Sequence, residues 1–134
     1  LGAYRGFRAL EALGWIDEIP RLLGAQAAGY APIVADIYDQ DAAAGDNDAA
    51  DGIQIRDPVR KTQILDAIAA TDGDAIALSE PAVAEALDAL HQRGFYTEPT
   101  CAVAPAALDV YRERGTLAPD ADVVVPLTGS GLKS

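Results

Sequence analysis

Methionine is absent from all 134 residues, cysteine occurs once, and lysine appears only at Lys61 and Lys133. Without methionine, Leu1 is no retained translation start, and no charged-then-apolar leader marks secretory processing, so the chain is expected to be a piece of a longer protein. The single Cys101 excludes an internal disulfide. No apolar run approaches the ~20 residues needed to span a bilayer. A Gly-x-Gly-x-x-Gly dinucleotide fingerprint and a Walker loop are also missing. The acidic run from Asp39 to Gly52 is no EF-hand: Asp46, Asp48, Asp51 and Gly52 break the required alternation, and Pro58 stands where the closing glutamate belongs.

Positive charge is scarce as well. Ten basic residues face twenty-one acidic ones, for a formal charge of −11, with aspartate carrying most of the excess. Such a surface repels nucleic acid and anionic membrane, so neither is expected as a partner. Abundant Asp and Ala with little Lys fits a protein from a salt-accumulating organism, where salt screens self-repulsion. Acidity then reflects habitat rather than substrate, and the cytoplasm is the expected compartment. Half of the residues are hydrophobic, enough for one domain with a core.

The apolar pattern alternates between helix and strand periods. Tyr4, Phe7, Leu10 and Leu13 form one helical face, expected to pack on a sheet, with Gly14 as its stop. Arg21 to Ala27, bounded by Pro20 and Gly29, reads as a strand in which Gly24 permits close backbone approach. A helix through Ile33, Val34 and Ile37 follows and runs into an exposed acidic loop. Gly52 to Ile55 reads as a short β-like piece. A helix from Val59 to Ala70 ends at Asp72-Gly73, and Ala75 to Leu78 makes a strand. Ser79 is a good N-cap for a helix that Glu80 and Pro81 open and Gly94 closes. A further helix, from Glu98-Pro99 to Gly115, is expected to kink at Pro105. Val123 to Leu127 reads as a last buried strand that closes the sheet. Strands alternating with helices imply α/β layering with parallel strands.

The motif with most chemical content is Thr128-Gly129-Ser130-Gly131, directly after that apolar run. A Thr-Gly-x-Gly turn at the carboxyl end of a strand offers a hydroxyl and free backbone N–H groups where open α/β sheets bind ligands. Together with Glu98-Pro99-Thr100-Cys101-Ala102 one helix upstream, with Pro20-Arg21, Gly24, Gln26-Ala27, Gly29 and Pro32, and with Gly52-Ile53, Pro58, Gly73, Gly94 and Tyr96, it resembles the C-terminal part of the threonine synthases. These are pyridoxal phosphate (PLP) enzymes of the type II fold. The order and spacing of the motifs carry the resemblance, since Glu-Pro-x-x-Ala also occurs in threonine dehydratases.

The resemblance implies a three-layer α/β fold with a mostly parallel sheet, with residues 1–134 forming the C-terminal portion of the large, PLP-binding domain. It implies conversion of O-phospho-L-homoserine and water to L-threonine and phosphate. The Schiff-base lysine and the phosphate-cradling loop both precede the segment that begins at Leu1. Lys61 reads as solvated at a helix start, and Lys133 belongs to the family's terminal Gly-Leu-Lys, so the chain alone is expected to be inactive. Thr128 is implied to hydrogen-bond the pyridine nitrogen, as a neutral partner that does not enforce ring protonation. The plainer alternative is a threonine capping a turn. Glu98 lies near the cofactor edge by resemblance, or simply opens a helix. Gly52 and Ile53 match a segment whose backbone lies against the cofactor plane, although a glycine before a short strand also arises for structural reasons alone.

Cys101 reads as a small buried hydrophobe with no neighbouring base to make it a nucleophile. His91 reads as a solvent-facing complement to a helix dipole. Two competing readings stand beside the synthase: a type II threonine or serine dehydratase, which more often carries Glu-Pro-x-Gly-Ala, and a non-catalytic α/β interaction module. Small-molecule substrate is the expected partner, and a homo-oligomer is left open.

Overall fold

A computed structural model of the chain describes residues 1–133; Ser134 and the Lys133 side chain, both within the terminal motif, lie outside the described residues. Two strands, β1 (Leu23–Ala27) and β2 (Asp74–Leu78), pair in parallel with Gly24 opposite Ala75 and Ala27 opposite Leu78. Alternation along β2 sends Ile76 and Leu78 to one face and Ala75 to the other. On the first face they pack with Val83 and Ala86 of α4 (Glu80–Gln92) and with Val103, Ala106, Ala107 and Tyr111 of α5 (Val103–Glu113). On the second, Ala75 meets Ile33 and Val34 of α2 (Pro32–Tyr38) and Ile68 of α3 (Lys61–Ala70). Helix, sheet and helix make the three layers of an α/β fold.

The expected elements are present with instructive differences. A Cβ added at Gly24 would sit 3.4 Å from the Ala75 Cβ, an ordinary contact. Gly73 is where close approach is compulsory, because a Cβ there would run into the Leu22 carbonyl, beside which β2 begins. The left-handed residue that ends α3 is Asp72 rather than Gly73, at φ 51°, a conformation that aspartate tolerates better than most side chains. Ser79 has N-cap geometry, yet its hydroxyl makes no capping bond. Pro105 causes no kink. Residues Pro99–Ala102 form a 3-10 turn and α5 starts afresh at Val103, so the proline lies in a first turn where its missing N–H costs little.

Three further expectations are overturned. Val123 to Leu127 is not a strand: no third strand pairs among the described residues, and Val124 is 91% exposed. Val125 and Leu127 instead line a shallow cleft with Ala86, Ala89 and Leu90 of α4 and Pro105 and Leu108 of α5, with Pro126 between them unable to donate to a ladder. Gly52 to Ile55 is not β-like either. Asp51–Ile53 is a 3-10 turn closed by bonds from Ile53 N–H to Ala50 and from Gln54 N–H to Asp51. Finally, α1 (Gly2–Ala12) makes at most slight contact with either strand among the described residues. Its face of Tyr4, Phe7 and Leu10 is half-buried, while Leu13 and Trp15 beyond it are exposed, and the two faces of the sheet are covered by the other four helices.

Candidate cofactor-facing site

The acidic loop that follows α2 folds over the carboxyl ends of both strands. Gly29 and Ala31, just past β1, donate to the Ala44 and Ala42 carbonyls, and Asn47 Nδ2 donates to the Leu78 carbonyl that ends β2 at 2.9 Å. Asn47 is fully buried, and its Oδ1 takes the Ala50 N–H. At the start of α4, Glu80 accepts the Asp48 and Ala49 N–H groups on Oε2, at 2.9 and 3.2 Å. The loop's carboxylates face solvent as expected, but its backbone is anchored rather than free. It delivers the Asp51–Ile53 turn to Pro99–Ala102, where Gly52 N–H donates to Thr100 Oγ1 at 3.3 Å. A Cβ on Gly52 would fall 2.9 Å from that hydroxyl. Ile53 packs against the edge of the core.

The second half of the site joins residues 96–101 to 128–131. Thr97 and Ser130 form an antiparallel bridge, Glu98 N–H donates to the Gly129 carbonyl at 3.2 Å, and Gly131 N–H donates to Tyr96 at 3.0 Å. The Glu98 carboxylate occupies the space that a Cβ on Gly129 would need. Cys101 Sγ accepts the Gly129 N–H at 2.9 Å, lies 3.5 Å from the Gly129 carbonyl and 3.9 Å from Thr128 Oγ1. Thr128 is exposed, whereas the neighbouring Thr97 is 7% exposed and its hydroxyl has no hydrogen-bond partner. Behind this junction His91, half-buried, places Nε2 3.1 Å from the Thr97 carbonyl and packs its ring on Tyr96, which corrects its expected solvent-facing position.

Of the four residues singled out in the sequence, Glu98 and Thr128 therefore meet across the Gly129 turn, and Gly52 reaches the same segment through Thr100. Ile53 arrives with Gly52 but turns its side chain to the core. Sequence reasoning missed Asn47, Thr97 and the bonding role of Cys101, whose partners lie far along the chain. Strong perturbation of acidity lies elsewhere. Tyr111 is held well above its ordinary range, first by burial and then by the Asp74 charge. Tyr38 is raised by its hydrogen bond to Asp74. Asp74 opens β2, at the opposite end from Leu78 and the loop. Among the described residues no cluster of three acidic, histidine or cysteine ligands stands ready for a metal, and no helix is long and apolar enough to cross a membrane.

Residues 1–129 match the family described as pyridoxal-phosphate dependent enzyme. Among curated proteins, the chain is similar to threonine synthase of Methanocaldococcus jannaschii, at 34% identity over 97% of this chain and 33% of the relative. Similarity to threonine synthase of Methanosarcina acetivorans is 33% over the same shares. With threonine synthase of Mycobacterium tuberculosis it is 31% identical, over 97% of this chain and 35% of the relative. The chain thus spans about a third of the length of these relatives. With the match covering nearly all of its residues, the chain belongs to the pyridoxal-phosphate dependent enzyme family.

Proposed function

We propose that this chain is the C-terminal, cofactor-facing portion of a threonine synthase that converts O-phospho-L-homoserine and water to L-threonine and phosphate. The observation that carries the reading is the Thr128-Gly129 turn seated on Glu98–Cys101, with Gly52 joined to the same segment. The residues present fit the pyridine end of PLP. Thr128 offers an exposed, neutral hydroxyl whose one hydrogen-bonding neighbour among the described residues is a sulfur at 3.9 Å, and in the segment bridged to Ser130 the Thr97 hydroxyl is buried without a partner. When bound, the cofactor supplies an electron sink for negative charge developing on substrate carbon.

This chain's own part is to hold that ring. Thr128 Oγ1 would hydrogen-bond the ring nitrogen without forcing a proton onto it, which would keep ring electron withdrawal moderate. Glu98 fills the space above Gly129 and fixes the turn that carries Thr128. Gly52 and Ile53 contribute backbone along the cofactor, held by Thr100 and by the core. Lys61 is paired with Asp36 at 2.9 Å on the α2/α3 face of the sheet, away from this junction. By the resemblance, the amine that would bind the cofactor belongs to a part of the enzyme beyond these residues, and the chain alone is expected to be inactive. Two parallel strands make a small sheet for three layers, which supports residues 1–134 being one portion of a larger domain whose further strands extend it. We assign the acidic surface to a salt-rich cytoplasm.

Thr100-Cys101 also favours the synthase over the dehydratase alternative, whose members more often carry Glu-Pro-x-Gly-Ala. The test is the full-length protein supplied with O-phospho-L-homoserine or with threonine. Release of phosphate with formation of threonine is expected; a 2-oxo acid and ammonia from threonine would instead identify the dehydratase. In the same protein, Thr128→Ala is expected to weaken PLP binding by about tenfold, the equivalent of one hydrogen bond, while leaving the unfolding midpoint of the PLP-free protein unchanged. Unaltered cofactor affinity and turnover would remove Thr128 from the site.

A further inference from the structure

We infer that Cys101 is a positioning residue, whose sulfur sets where the Thr128 hydroxyl stands. The inference rests on the reading of Thr128 as the pyridine-nitrogen partner and adds to it the group that aims it. Three contacts converge on one atom: Sγ takes the Gly129 N–H at 2.9 Å, faces the Gly129 carbonyl at 3.5 Å and lies 3.9 Å from Thr128 Oγ1. A second, independent feature makes them matter. On its other side, Thr128 is preceded by irregular chain in which Leu127 rests in the α4/α5 cleft but, with Pro126 before it and a 91% exposed Val124, no strand pairing holds the backbone. The hydrogen bonds that fix the turn itself come from the 96–101 side. There Glu98 and Tyr96 fix the flanking backbone at Gly129 and Gly131, and Cys101 is the side chain that bonds Gly129 while also touching Thr128.

The sulfur itself is well placed for this work. Cys101 is 7% exposed and its own N–H is anchored to the Glu98 carbonyl at 3.0 Å, so Sγ projects from a fixed backbone. Cysteine here serves as a hydrogen-bonding group rather than as a nucleophile. Truncation to alanine strips the Gly129 N–H of its acceptor and frees the turn to shift, and displacement of a catalytic group by a fraction of an ångström to an ångström costs up to about a hundredfold in rate. Serine retains a donor and acceptor on a shorter bond and restores most of the link.

The test uses the PLP-loaded full-length enzyme carrying C101A, C101S, T128A and the C101A/T128A pair, read by PLP dissociation constant, by the visible absorption band of the bound cofactor, and by kcat and KM. Expected are a lower kcat and about tenfold weaker PLP binding in C101A with KM little changed, substantial recovery in C101S, and no further loss when C101A is added to T128A. If T128A alters the cofactor band and C101A does not, the role of Cys101 is overturned while that of Thr128 stands. Fully additive losses likewise overturn it, by showing that Cys101 acts apart from Thr128. If T128A itself leaves band and affinity unchanged, the underlying reading falls, and this inference with it. Should C101A fail to fold, amide exchange at Gly129 in the wild-type holoenzyme reads the contact directly: protection is expected, and free exchange overturns the assignment.

Discussion

Single residues here carry more than their type predicts. Tyr111 is 1% exposed, and its buried hydroxyl lies near the Asp74 carboxylate without meeting it in good hydrogen-bond geometry. Burying an unpaired hydroxyl is unfavourable by about 1–3 kcal/mol, so Tyr111→Phe is expected to stabilise the fold by about 1 kcal/mol in urea unfolding. The same phenol sets a pH limit. Its ordinary value is 10.0 and folding raises it, so above pH 10 the unfolded chain gives up a proton that the folded chain retains. Stability is therefore complete below that pH and falls as pH rises beyond it. Tyr111→Phe should flatten the alkaline decline, and an unchanged slope would assign it to other groups, Tyr38 first among them. None of this was legible in the sequence, where Tyr111 is one apolar position on a helix and Asp74 is 37 residues away in a strand. Thr128 and Glu98 were legible, because both lie in short motifs whose order alone marks them.

Among the elements, the acidic loop differs most from its expected form. A run of aspartate, alanine and glycine has no apolar period and reads as solvated chain, and its carboxylates are solvated. Among its anchors is one buried amide side chain: Asn47 ties the loop to the end of β2 and to Ala50. Asn47→Ala leaves the Ala50 N–H without its acceptor and the Leu78 carbonyl with the Ala28 N–H alone, at an expected cost of about 1–3 kcal/mol in denaturant unfolding. Faster amide exchange at Ala50 and Gly52 should accompany it, since the loop delivers Gly52 to Thr100. A loss under about 0.5 kcal/mol, the range of an ordinary surface substitution, would show that Glu80 and the backbone bonds from Gly29 and Ala31 hold the loop without it. The Val123–Leu127 run shows the opposite error. Five apolar residues read as a strand on composition, but a strand requires an edge to pair with, and this segment runs along the cleft between α4 and α5 instead.

For the molecule as a whole, charge outweighs other surface properties. A formal charge of −11 on 134 residues makes the compact state self-repelling at low salt. Screening shortens from about 10 Å at 0.1 M to about 3 Å at 1 M salt. The thermal midpoint is therefore expected to rise with sodium chloride across that range; a flat response would show that the carboxylates are spaced widely enough not to repel. Beyond charge, the layout of the molecule is simple: two strands, with helices on each face, present one composite edge of backbone turns where residues 51–53, 97–101 and 128–131 meet.

The alternation of apolar periods determined by itself the two strands and the helices that cover them, because burial at period two or period 3.6 is a local property of consecutive residues. Motif order likewise determined the family, and with it the cofactor. Tertiary structure alone decided that α1 makes at most slight contact with the strands, that Val123–Leu127 stays unpaired, and that Asn47 and Cys101 hold the backbone around the candidate site. Their hydrogen bonds join residues as many as 31 positions apart, and such pairings depend on how layers stack rather than on any pattern that a short stretch of chain can display.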